Sequence, residues 1–432
     1  MMEKYNIFWF KRDLRLYDNH GLSKATSEKL KVIPIFIFDT SITDKLPSND
    51  RRVNFIYDSL VNIDSELNEV YNSSLSVFKG DPLKVFRDLI SDHNIDTVFT
   101  NNDYEPYALK RDKSIKDLLF KKGIKFRSFK DQVIFEKNEI VKDDGKPYVV
   151  YTPFMRKWKA SLLEDLSHLD EKKIVNNFCH KSFSQLLKIN DYGFKESKSK
   201  IQAFKLNKEI VINYAEQRNF PNLNSTSKIG PYLRFGTVSI RKIISGLLSF
   251  KDDTFLKELV WREFFMQILY HFPHTANDSF KPKYDKIVWL NDDKSFESWK
   301  NGTTGYPLID AGMRELNKTG FMHNRVRMIT ASFLCKHLLI DWRWGEKYFA
   351  LKLNDYEMAS NVGNWQWASG SGVDAAPYFR IFNPHTQIQK FDKKREYIGK
   401  WINEDSENYP DEIIDHKFAR LRCLNTYKKY LD

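Results

Sequence analysis

Two different hydrophobic patterns divide this chain of 432 residues. The N-terminal part alternates short apolar, β-rich runs with helix-length stretches, which is typical of a parallel sheet in an α/β domain. These runs span residues 7–10, 32–38, 75–78, 97–100 and 124–129. From Asn207 onward, apolar residues recur at intervals of three and four, as over 240–248, 255–269 and 326–339, and this spacing predicts helices.

The two patterns and the polar stretch between them predict three parts. We expect a doubly wound, Rossmann-like α/β domain over residues 1–130 and an all-α domain over 206–432. The lysine-rich segment 131–205 shows neither period strongly and is interpreted as an interdomain connector. The chain is long enough for two or three domains, because a single core stops growing at about 250 to 300 residues.

Charge and cysteine content restrict the function classes. The formal net charge of +12 favours a polyanionic partner, because lysine and arginine release counterions when they meet phosphates, although solubility alone explains the charge equally well. The three cysteines lie far apart without a CxxC pair, so we expect neither disulfides nor a metal site, and a reducing cytoplasm fits. The first 15 residues carry six charged side chains around a short apolar run, so we expect no secretion signal. No apolar run approaches about 18 residues, so we expect no membrane span.

A short polar turn precedes a helical pattern in the second half. Its residues, Thr226, Ser227, Lys228, Ile229 and Gly230, combine two hydroxyls, a cation and a glycine. Such a turn can hold a pyrophosphate at a helix start without a Walker loop. An ordinary helix N-cap explains the same residues and is favoured by the local sequence alone.

One predicted helix carries charge beside an indole. Glu258, Trp261 and Arg262 fall at i, i+3 and i+4, so a carboxylate, an indole and a guanidinium share one helix face. The alternative is a surface ion pair beside a half-buried ring.

A second helix places polar groups among apolar neighbours. Asn324, Arg327 and Met328 share one face, and polar groups on the apolar side of a helix need partners. A structural salt bridge between Arg327 and Asp355 would satisfy this need. The sequence also contains Trp289, Trp342 and Trp365. Without further context, tryptophans such as these are more often core residues than functional ones.

These residues lie in motifs that resemble those of the photolyase/cryptochrome flavoproteins, and within that family the class I cyclobutane pyrimidine dimer photolyases. The motifs cover nearly the whole chain and read IFWFKRDLRLYDN at 7–19, YTPF at 151–154, TTGYPLIDA at 303–311, MHNRVRM at 322–328, NVGNWQWASG at 361–370 and DAAPYFRIFNP at 374–384. The resemblance implies an α/β antenna domain, a long connector and a helical domain that binds FAD in a U-shaped conformation.

The resemblance also implies roles for individual residues. The implied FAD contacts are Tyr214, Thr226, Ser227, Lys228, Ile229, Gly230, Asn324, Arg327 with Asp355, Tyr356, Glu357 and, beside flavin N5, Asn361. The implied contacts with DNA and the lesion are Arg218, Glu258, Trp261, Arg325, Met328 and Trp367. The implied electron relay is Trp289, Trp342 and Trp365, which would carry electrons from the surface to oxidised FAD and take no part in repair itself.

The implied chemistry explains these residue types. A pyrimidine dimer inside duplex DNA cannot reach a flavin, so the lesion is flipped out, and indoles such as Trp261 and Trp367 offer stacking faces worth about 1 to 3 kcal/mol per base. Light-excited reduced FAD supplies the electron that splits the dimer. Glu258, when protonated or sharing a proton with the lesion carbonyls, would stabilise the radical anion of the lesion. Asn361 favours reduced flavin, whereas similar plant photoreceptors carry Asp there.

Some positions depart from the family pattern. Ile229 and Gly230 replace the usual Leu-Ser at the end of the phosphate turn, which removes one hydroxyl contact. Glu357 stands where Asp is usual, and Phe321 stands where Trp usually precedes Met-His-Asn.

The antenna site departs further. Folate-binding members resemble Tyr-Glu-x-Asn-Glu where this chain reads YEPYA at 104–108, so two folate-contacting groups are missing. Deazaflavin-binding relatives look closer to Glu-Pro-Tyr followed by Arg-Asp, as in Arg111 and Asp112. A deazaflavin, a flavin or an empty pocket stay open as alternatives, and folate is disfavoured.

We therefore expect a light-dependent lyase that splits cyclobutane pyrimidine dimers in UV-damaged DNA, with FAD as cofactor, as a cytoplasmic monomer without metal or obligate protein partner. The main alternative is a cryptochrome-type photoreceptor that keeps FAD and the relay; its usual C-terminal extension is not expected, because the chain ends about 30 residues after Trp401. A binding protein without catalysis is a third alternative, but simple binding needs neither Glu258 nor Asn361.

Overall fold

The computed structural model describes residues 3–404 and 406–431, and the chain divides into two compact units. The first unit comprises Met1–Ile140, Lys157–Ala203 and Ile229–Lys251. The second comprises Val141–Arg156, Phe204–Lys228 and Asp252–Asp432. Each unit is built from separate stretches of chain, a feature that local sequence patterns do not reveal.

The first unit contains the predicted parallel sheet. Its strands are β1 Tyr5–Phe10, β2 Val32–Asp39, β3 Ser76–Gly80, β4 Ile95–Asn101 and β5 Lys125–Phe129. They pair in the order β3-β2-β1-β4-β5, and every pair is parallel. Strands β1 and β2 are buried along their whole length, which explains their continuous apolar sequence. The α/β fold class is confirmed, because this order is that of a doubly wound sheet.

Helices make up most of the remaining structure. In chain order they are α1 His20–Thr26, α2 Thr40–Thr43, α3 Arg51–Tyr71, α4 Pro82–Asp92, α5 Pro106–Phe120, α6 Tyr151–Glu164, α7 Lys208–Gln217, α8 Gly230–Arg234, α9 Ile240–Leu247, α10 Thr254–His271, α11 Asp293–Asn301, α12 Pro307–Thr319, α13 Asn324–Ser332, α14 Trp342–Lys352, α15 Met358–Ser369, α16 Pro384–Phe391, α17 Glu396–Gly399 and α18 His416–Leu431. Short 3₁₀ turns occupy Leu166–Leu169, Ile189–Tyr192, Pro273–Ala276 and Pro282–Lys286. The described part of the second unit contains helices and no named strand, which confirms the predicted helical half.

The long apolar pattern over 326–339 forms two pieces instead of one helix. Helix α13 ends at Ser332 and continues as a π-helical turn over Phe333–His337. This wider turn buries two polar side chains, and each finds a partner: Lys336 donates to the Arg380 carbonyl at 2.8 Å, and His337 Nε2 lies 2.9 Å from His416 Nδ1. Local periodicity does not predict the interruption, because these partners are distant in sequence.

Close packing of α15 against its neighbours fixes the region that concerns function. A Cβ atom on Gly345 of α14 would lie 2.1 Å from the Trp365 ring, and a Cβ atom on Gly363 would lie 2.2 Å from the Phe265 ring of α10. Both positions therefore require glycine. Helix α15 is thus held on two sides, so the side chains that it projects are rigidly placed.

Candidate active site

A cleft in the second unit lies between α13, α15 and the segment that joins α14 to α15. It holds about 590 Å³ of space free of protein atoms, part of it open to solvent. Its lining mixes amides, charged groups and rings: Asn324, Arg327, Met328, Ala331, Phe349, Leu353, Asp355, Tyr356, Glu357, Ser360, Asn361, Asn364, Trp365, Trp367 and Ala368.

The cleft brings together nine of the residues singled out from the sequence, namely Asn324, Arg327, Met328, Asp355, Tyr356, Glu357, Asn361, Trp365 and Trp367. The other predicted residues of the second unit lie outside its lining: Tyr214, Arg218, Thr226, Ser227, Lys228, Glu258, Trp261, Trp289, Arg325 and Trp342. Ile229 and Gly230 belong to the first unit.

Arg327 and Asp355 form a two-pronged ion pair on the cleft wall. Arg327 Nη1 and Nη2 donate to the two Asp355 oxygens at 3.2 and 2.9 Å, and Nε donates to the Met322 carbonyl at 2.7 Å. The guanidinium is therefore fixed along its whole edge. This pair is the salt bridge considered from the sequence.

Glu357, which replaces the family's Asp, is buried against Arg262. Arg262 Nη2 donates to Glu357 Oε1 at 3.1 Å, and the Ser360 hydroxyl donates to Oε2 at 3.1 Å. Arg262 was predicted to share a helix face with Glu258, but the two side chains have different partners. Both carboxylate oxygens of Glu357 thus have a hydrogen-bond partner.

Asn361 is bound by a residue that the sequence reasoning missed. Its Nδ2 donates to the Glu346 carboxylate Oε1 at 2.9 Å and to the Glu346 backbone carbonyl at 3.2 Å. The Tyr356 hydroxyl makes a longer contact, 3.5 Å, with the same Oε1. Burial raises the pKa of Glu346, while the bonds from Asn361 and Tyr356 oppose that rise. A single glutamate in an amphipathic helix gives no sequence signal for this contact.

Arg218 and Glu258 form an ion pair that belongs to a second cluster. Arg218 Nη1 donates to Glu258 Oε1 at 2.5 Å, and its guanidinium lies 5.2 Å from the centre of the Tyr214 ring. Tyr214 also meets Phe255 edge to face at 4.9 Å. Burial raises the pKa of Tyr214 to about 12. Two predicted lesion contacts, Arg218 and Glu258, thus contact each other.

Trp261 lies in a stack of aromatic rings. Its ring centre is 3.6 Å from that of Tyr151, with planes 8° apart, and 5.4 Å from that of Phe265. The Tyr151 hydroxyl donates to the Lys257 carbonyl at 2.7 Å. Tyr151 appeared in the YTPF motif without a role, and the structure makes it the ring that covers Trp261.

Several arginines surround His323, the residue before α13. Its Nδ1 accepts a hydrogen bond from the Arg325 backbone at 3.2 Å. Burial, and then Arg327, Arg325 and Arg218, lower the pKa of His323 to about 4. The Arg325 guanidinium donates to Asn219 at 2.5 Å and lies 4.4 Å from the Phe391 ring centre. Such a concentration of guanidinium groups suits phosphate oxygens.

The predicted phosphate turn is divided between the two units. In the second unit, the Ser227 carbonyl accepts from the Lys205 backbone at 2.9 Å. Lys228 has a φ of 55°, and burial lowers the pKa of its amine. In the first unit, Ile229 precedes helix α8 and makes no side-chain cap, so an ordinary side-chain N-cap at that position is absent.

The three relay tryptophans differ in burial. Trp342 and Trp365 are 1% and 2% exposed and lie in one hydrophobic cluster, and Trp289 packs against that cluster as a partly buried ring. Trp299, 6.1 Å from Trp365 between ring centres, is an additional indole in the same core. All three predicted relay residues therefore also have packing roles.

The predicted antenna residues lie at the carboxyl edge of the sheet in the first unit. Asp112 accepts from Lys11 at 2.5 Å and from Arg111 at 3.0 Å. The Arg111 guanidinium covers the Trp9 ring at 4.8 Å. The Tyr107 hydroxyl donates to Asp39 at 2.6 Å.

The chain matches known proteins along nearly its whole length. The family described as DNA photolyase matches residues 6–172, and the FAD binding domain of DNA photolyase matches residues 255–406. A deoxyribodipyrimidine photo-lyase of Agrobacterium fabrum is 36% identical, over 98% of this chain and 97% of the relative. The chain belongs to the photolyase/cryptochrome family. It therefore contains the FAD-binding domain of that family.

Solved structures of photolyases have the same fold. A class III photolyase from Agrobacterium tumefaciens is 34% identical with a TM-score of 0.88, over 100% of this chain and 98% of that one. A photolyase from Sulfolobus tokodaii with two FAD molecules is 33% identical with a TM-score of 0.86, over 98% and 99%. A cryptochrome from Synechocystis, 24% identical with a TM-score of 0.85 over 99% of each chain, shares the fold.

The described residues contain neither a candidate membrane span nor a candidate metal cluster. No helix among them has the combined length and hydrophobicity needed to cross a bilayer. No three His, Cys, Asp or Glu side chains in the same part of the chain are placed to hold a metal ion.

Proposed function

We propose that this protein is a light-dependent lyase that splits cyclobutane pyrimidine dimers in UV-damaged DNA. The single observation that carries the proposal is that Asn361 and Trp367 line one cleft. The first is the residue expected beside the flavin ring, and the second is an indole expected to stack on an extruded base. The cleft therefore brings a residue expected at the cofactor close to one expected at the lesion.

The donor set of the cleft fits FAD. Apolar and aromatic side chains, such as Phe349, Leu353 and Trp365, suit a flat ring system, and amides and a fixed guanidinium, such as Asn324 and Arg327, suit its polar edge. The Arg327–Asp355 pair keeps the guanidinium in place before any ligand arrives. The remaining proposed FAD contacts are Tyr214, Tyr356, Glu357 and the turn from Thr226 to Gly230.

The proposed lesion contacts combine stacking and charge. Reduced FAD, when bound and excited by light, supplies the electron that opens the cyclobutane ring. Trp261 and Trp367 stack on the extruded pyrimidines, and Met328 fills the space beside them. Arg218 and Arg325 bind backbone phosphates, which positions the strand without reading its sequence. When Arg218 turns to phosphate, Glu258 takes up or shares a proton with the lesion carbonyls, and the resulting hydrogen bond stabilises negative charge on the lesion.

Blue-light treatment of an oligonucleotide with one cyclobutane dimer tests the proposal. Protein with its flavin reduced under anaerobic conditions should convert the dimer to two unlinked pyrimidines within the intact oligonucleotide, measured by chromatography, and should do so only in light. A dark sample and a Trp367→Ala variant are the controls. A dimer that stays intact in the light, with protein that binds both FAD and the oligonucleotide, would contradict the proposal.

The same samples distinguish the photoreceptor alternative. A cryptochrome-type photoreceptor would reduce its flavin in the light through Trp365, Trp342 and Trp289 and leave the dimer intact. Photoreduction with dimer splitting supports the lyase, and photoreduction alone supports the photoreceptor. A protein that binds DNA without either reaction would match the non-catalytic alternative.

We also propose a flavin or deazaflavin as a second chromophore in the first unit. The Sulfolobus photolyase structure contains two FAD molecules, with the implication of a novel light-harvesting cofactor, which supports this class of molecule. Tyr107 is 40% exposed, so its ring offers a stacking face. Its hydroxyl donates to Asp39 at 2.6 Å and can still accept a hydrogen bond. Reconstitution with FAD, a deazaflavin or a folate should show retention of the first two and loss of the third on gel filtration.

A further inference from the structure

Asn361 shows only one of its polar atoms to the cleft. Both hydrogens of its Nδ2 are used by Glu346, one by the carboxylate Oε1 at 2.9 Å and one by the backbone carbonyl at 3.2 Å. Oδ1 is the remaining polar atom of the side chain. Since Asn361 lines the cleft, the group that it offers to a ligand is a hydrogen-bond acceptor.

The orientation of this amide follows from its partners. The backbone carbonyl of Glu346 can only accept a hydrogen bond, so an amide oxygen turned toward it would be repelled. An ionised Glu346 side chain also accepts at Oε1. The nitrogen therefore faces Glu346, and the backbone carbonyl fixes this orientation whatever the charge of the side chain.

Glu346 is itself held in place. The Tyr356 hydroxyl contacts the same Oε1 at 3.5 Å, and Gly345, the preceding residue, fits against Trp365 only because it has no side chain. Helices α14 and α15 therefore pack closely at Gly345, and the contact between Glu346 and Asn361 is part of the packing of the two helices.

We propose that Glu346 is a positioning residue, which holds Asn361 with its oxygen toward the cleft so that the cleft prefers a flavin with a hydrogen on N5. This inference rests on the proposed placement of Asn361 beside N5. Reduced flavin carries that hydrogen, whereas oxidised flavin has a bare lone pair there. An acceptor binds the first and repels the second, so the site favours reduced FAD.

The direction in which the FAD reduction potential changes distinguishes this positioning role from an effect of the Glu346 charge. A negative carboxylate near the flavin would disfavour the added electrons, so removing its charge alone should favour reduced FAD. Removing the acceptor that holds Asn361 should do the opposite, because the amide can then turn and offer its N–H to oxidised flavin. Glu346→Gln and Glu346→Met both remove the charge, but only Gln keeps a side-chain oxygen that can accept a hydrogen bond from Asn361. A comparison of these two neutral variants therefore measures the effect of the acceptor alone.

The test is the reduction potential of the bound FAD, measured by anaerobic titration of the holoprotein. The ratio of the affinities for reduced and oxidised FAD should be about tenfold lower in Glu346→Met than in Glu346→Gln. A tenfold change corresponds to the free energy of about one hydrogen bond. In an Asn361→Ala background, the difference between the Gln and Met variants should vanish. Equal potentials for Gln and Met, or a difference that persists without the Asn361 amide, would overturn the inference.

A second comparison needs no flavin. Asn361→Asp places a second carboxylate beside that of Glu346. The two repel each other, so the urea concentration at the midpoint of unfolding should fall. Adding Glu346→Gln should restore the midpoint, because the Gln amide can donate to the carboxylate that the first substitution introduces. Failure of this rescue would mean that the contact is absent. Neither measurement depends on dimer splitting, so a failure of the proposed repair function would leave the inference testable by itself.

Discussion

Tyr151 stacks on Trp261 with ring centres 3.6 Å apart and planes 8° apart. Residues more than a hundred positions apart thus form one aromatic pair in the second unit. The pair matters for recognition, because Trp261 is a proposed stacking surface for the lesion and Tyr151 covers one of its faces. Tyr151 fixes the plane of the indole before DNA binds.

Removal of the covering ring should weaken lesion binding. Tyr151→Ala should lower the affinity for dimer-containing DNA about two- to tenfold, because aromatic pairs contribute about 0.5 to 1.5 kcal/mol beyond buried area. Tyr151→Phe is the matched control, since it keeps the stack and loses only the hydrogen bond to Lys257. The affinity of Tyr151→Phe for dimer-containing DNA, measured by fluorescence anisotropy, should be close to that of wild type. An equal loss in both variants would assign the effect to the hydroxyl.

Glu258→Ala should lower the quantum yield of repair more than the affinity for DNA. The substitution removes the proposed stabiliser of lesion charge and leaves Arg218 available for phosphate, so affinity should stay within about twofold of wild type. Arg218→Ala is the comparison. It should weaken DNA binding and reduce the slope of log affinity against log salt concentration by about one. A pure binding defect in Glu258→Ala would make this residue a positioning group for Arg218.

Trp289→Phe should block photoreduction of oxidised FAD and leave repair intact when FAD is reduced chemically. The relay role predicts this separation, because the outermost ring supplies electrons only to oxidised flavin. Trp299→Phe is the matched control, since Trp299 is fully buried and also lies beside Trp365. Absorbance during blue-light illumination measures the first reaction. Loss of both reactions in Trp289→Phe would refute the relay assignment.

The stability of the second unit should fall in acid, in part because of His323. Burial keeps this imidazole neutral and lowers its pKa from 6.5 to about 4. The unfolded chain therefore binds the proton first, and stability is lost as the pH falls from about 6.5 toward about 4. The difference corresponds to about 3 kcal/mol at the acid end.

His323→Asn tests this loss, because Asn keeps a side-chain acceptor for the Arg325 backbone and does not titrate. Urea unfolding at neutral pH and at about pH 4.5 should show a smaller difference in the free energy of unfolding for the variant than for wild type. His337, whose pKa burial lowers to about 3, accounts for part of the remaining acid sensitivity. The same pH dependence in both proteins would show that His323 does not contribute.

The sequence predicted those parts of the fold that local patterns determine. Strands β1 and β2 were found because both faces of each strand are buried, which forces continuous apolar residues. The bond between Arg327 and Asp355 was anticipated because a guanidinium on the apolar side of a helix needs a partner. Contacts set by tertiary packing were missed: Glu346 on Asn361, Tyr151 on Trp261, and Arg262 on Glu357 each join segments whose proximity no local pattern encodes.

The most direct test of the central claim is the recovery of ultraviolet absorbance in UV-irradiated oligothymidylate under blue light, with FAD reduced anaerobically in the purified protein. Splitting of cyclobutane dimers restores the conjugated pyrimidines, so absorbance should rise in the light and stay constant in the dark. The proposed lyase function predicts this rise. Constant absorbance in the light, from protein whose FAD is bound and reduced, would contradict it.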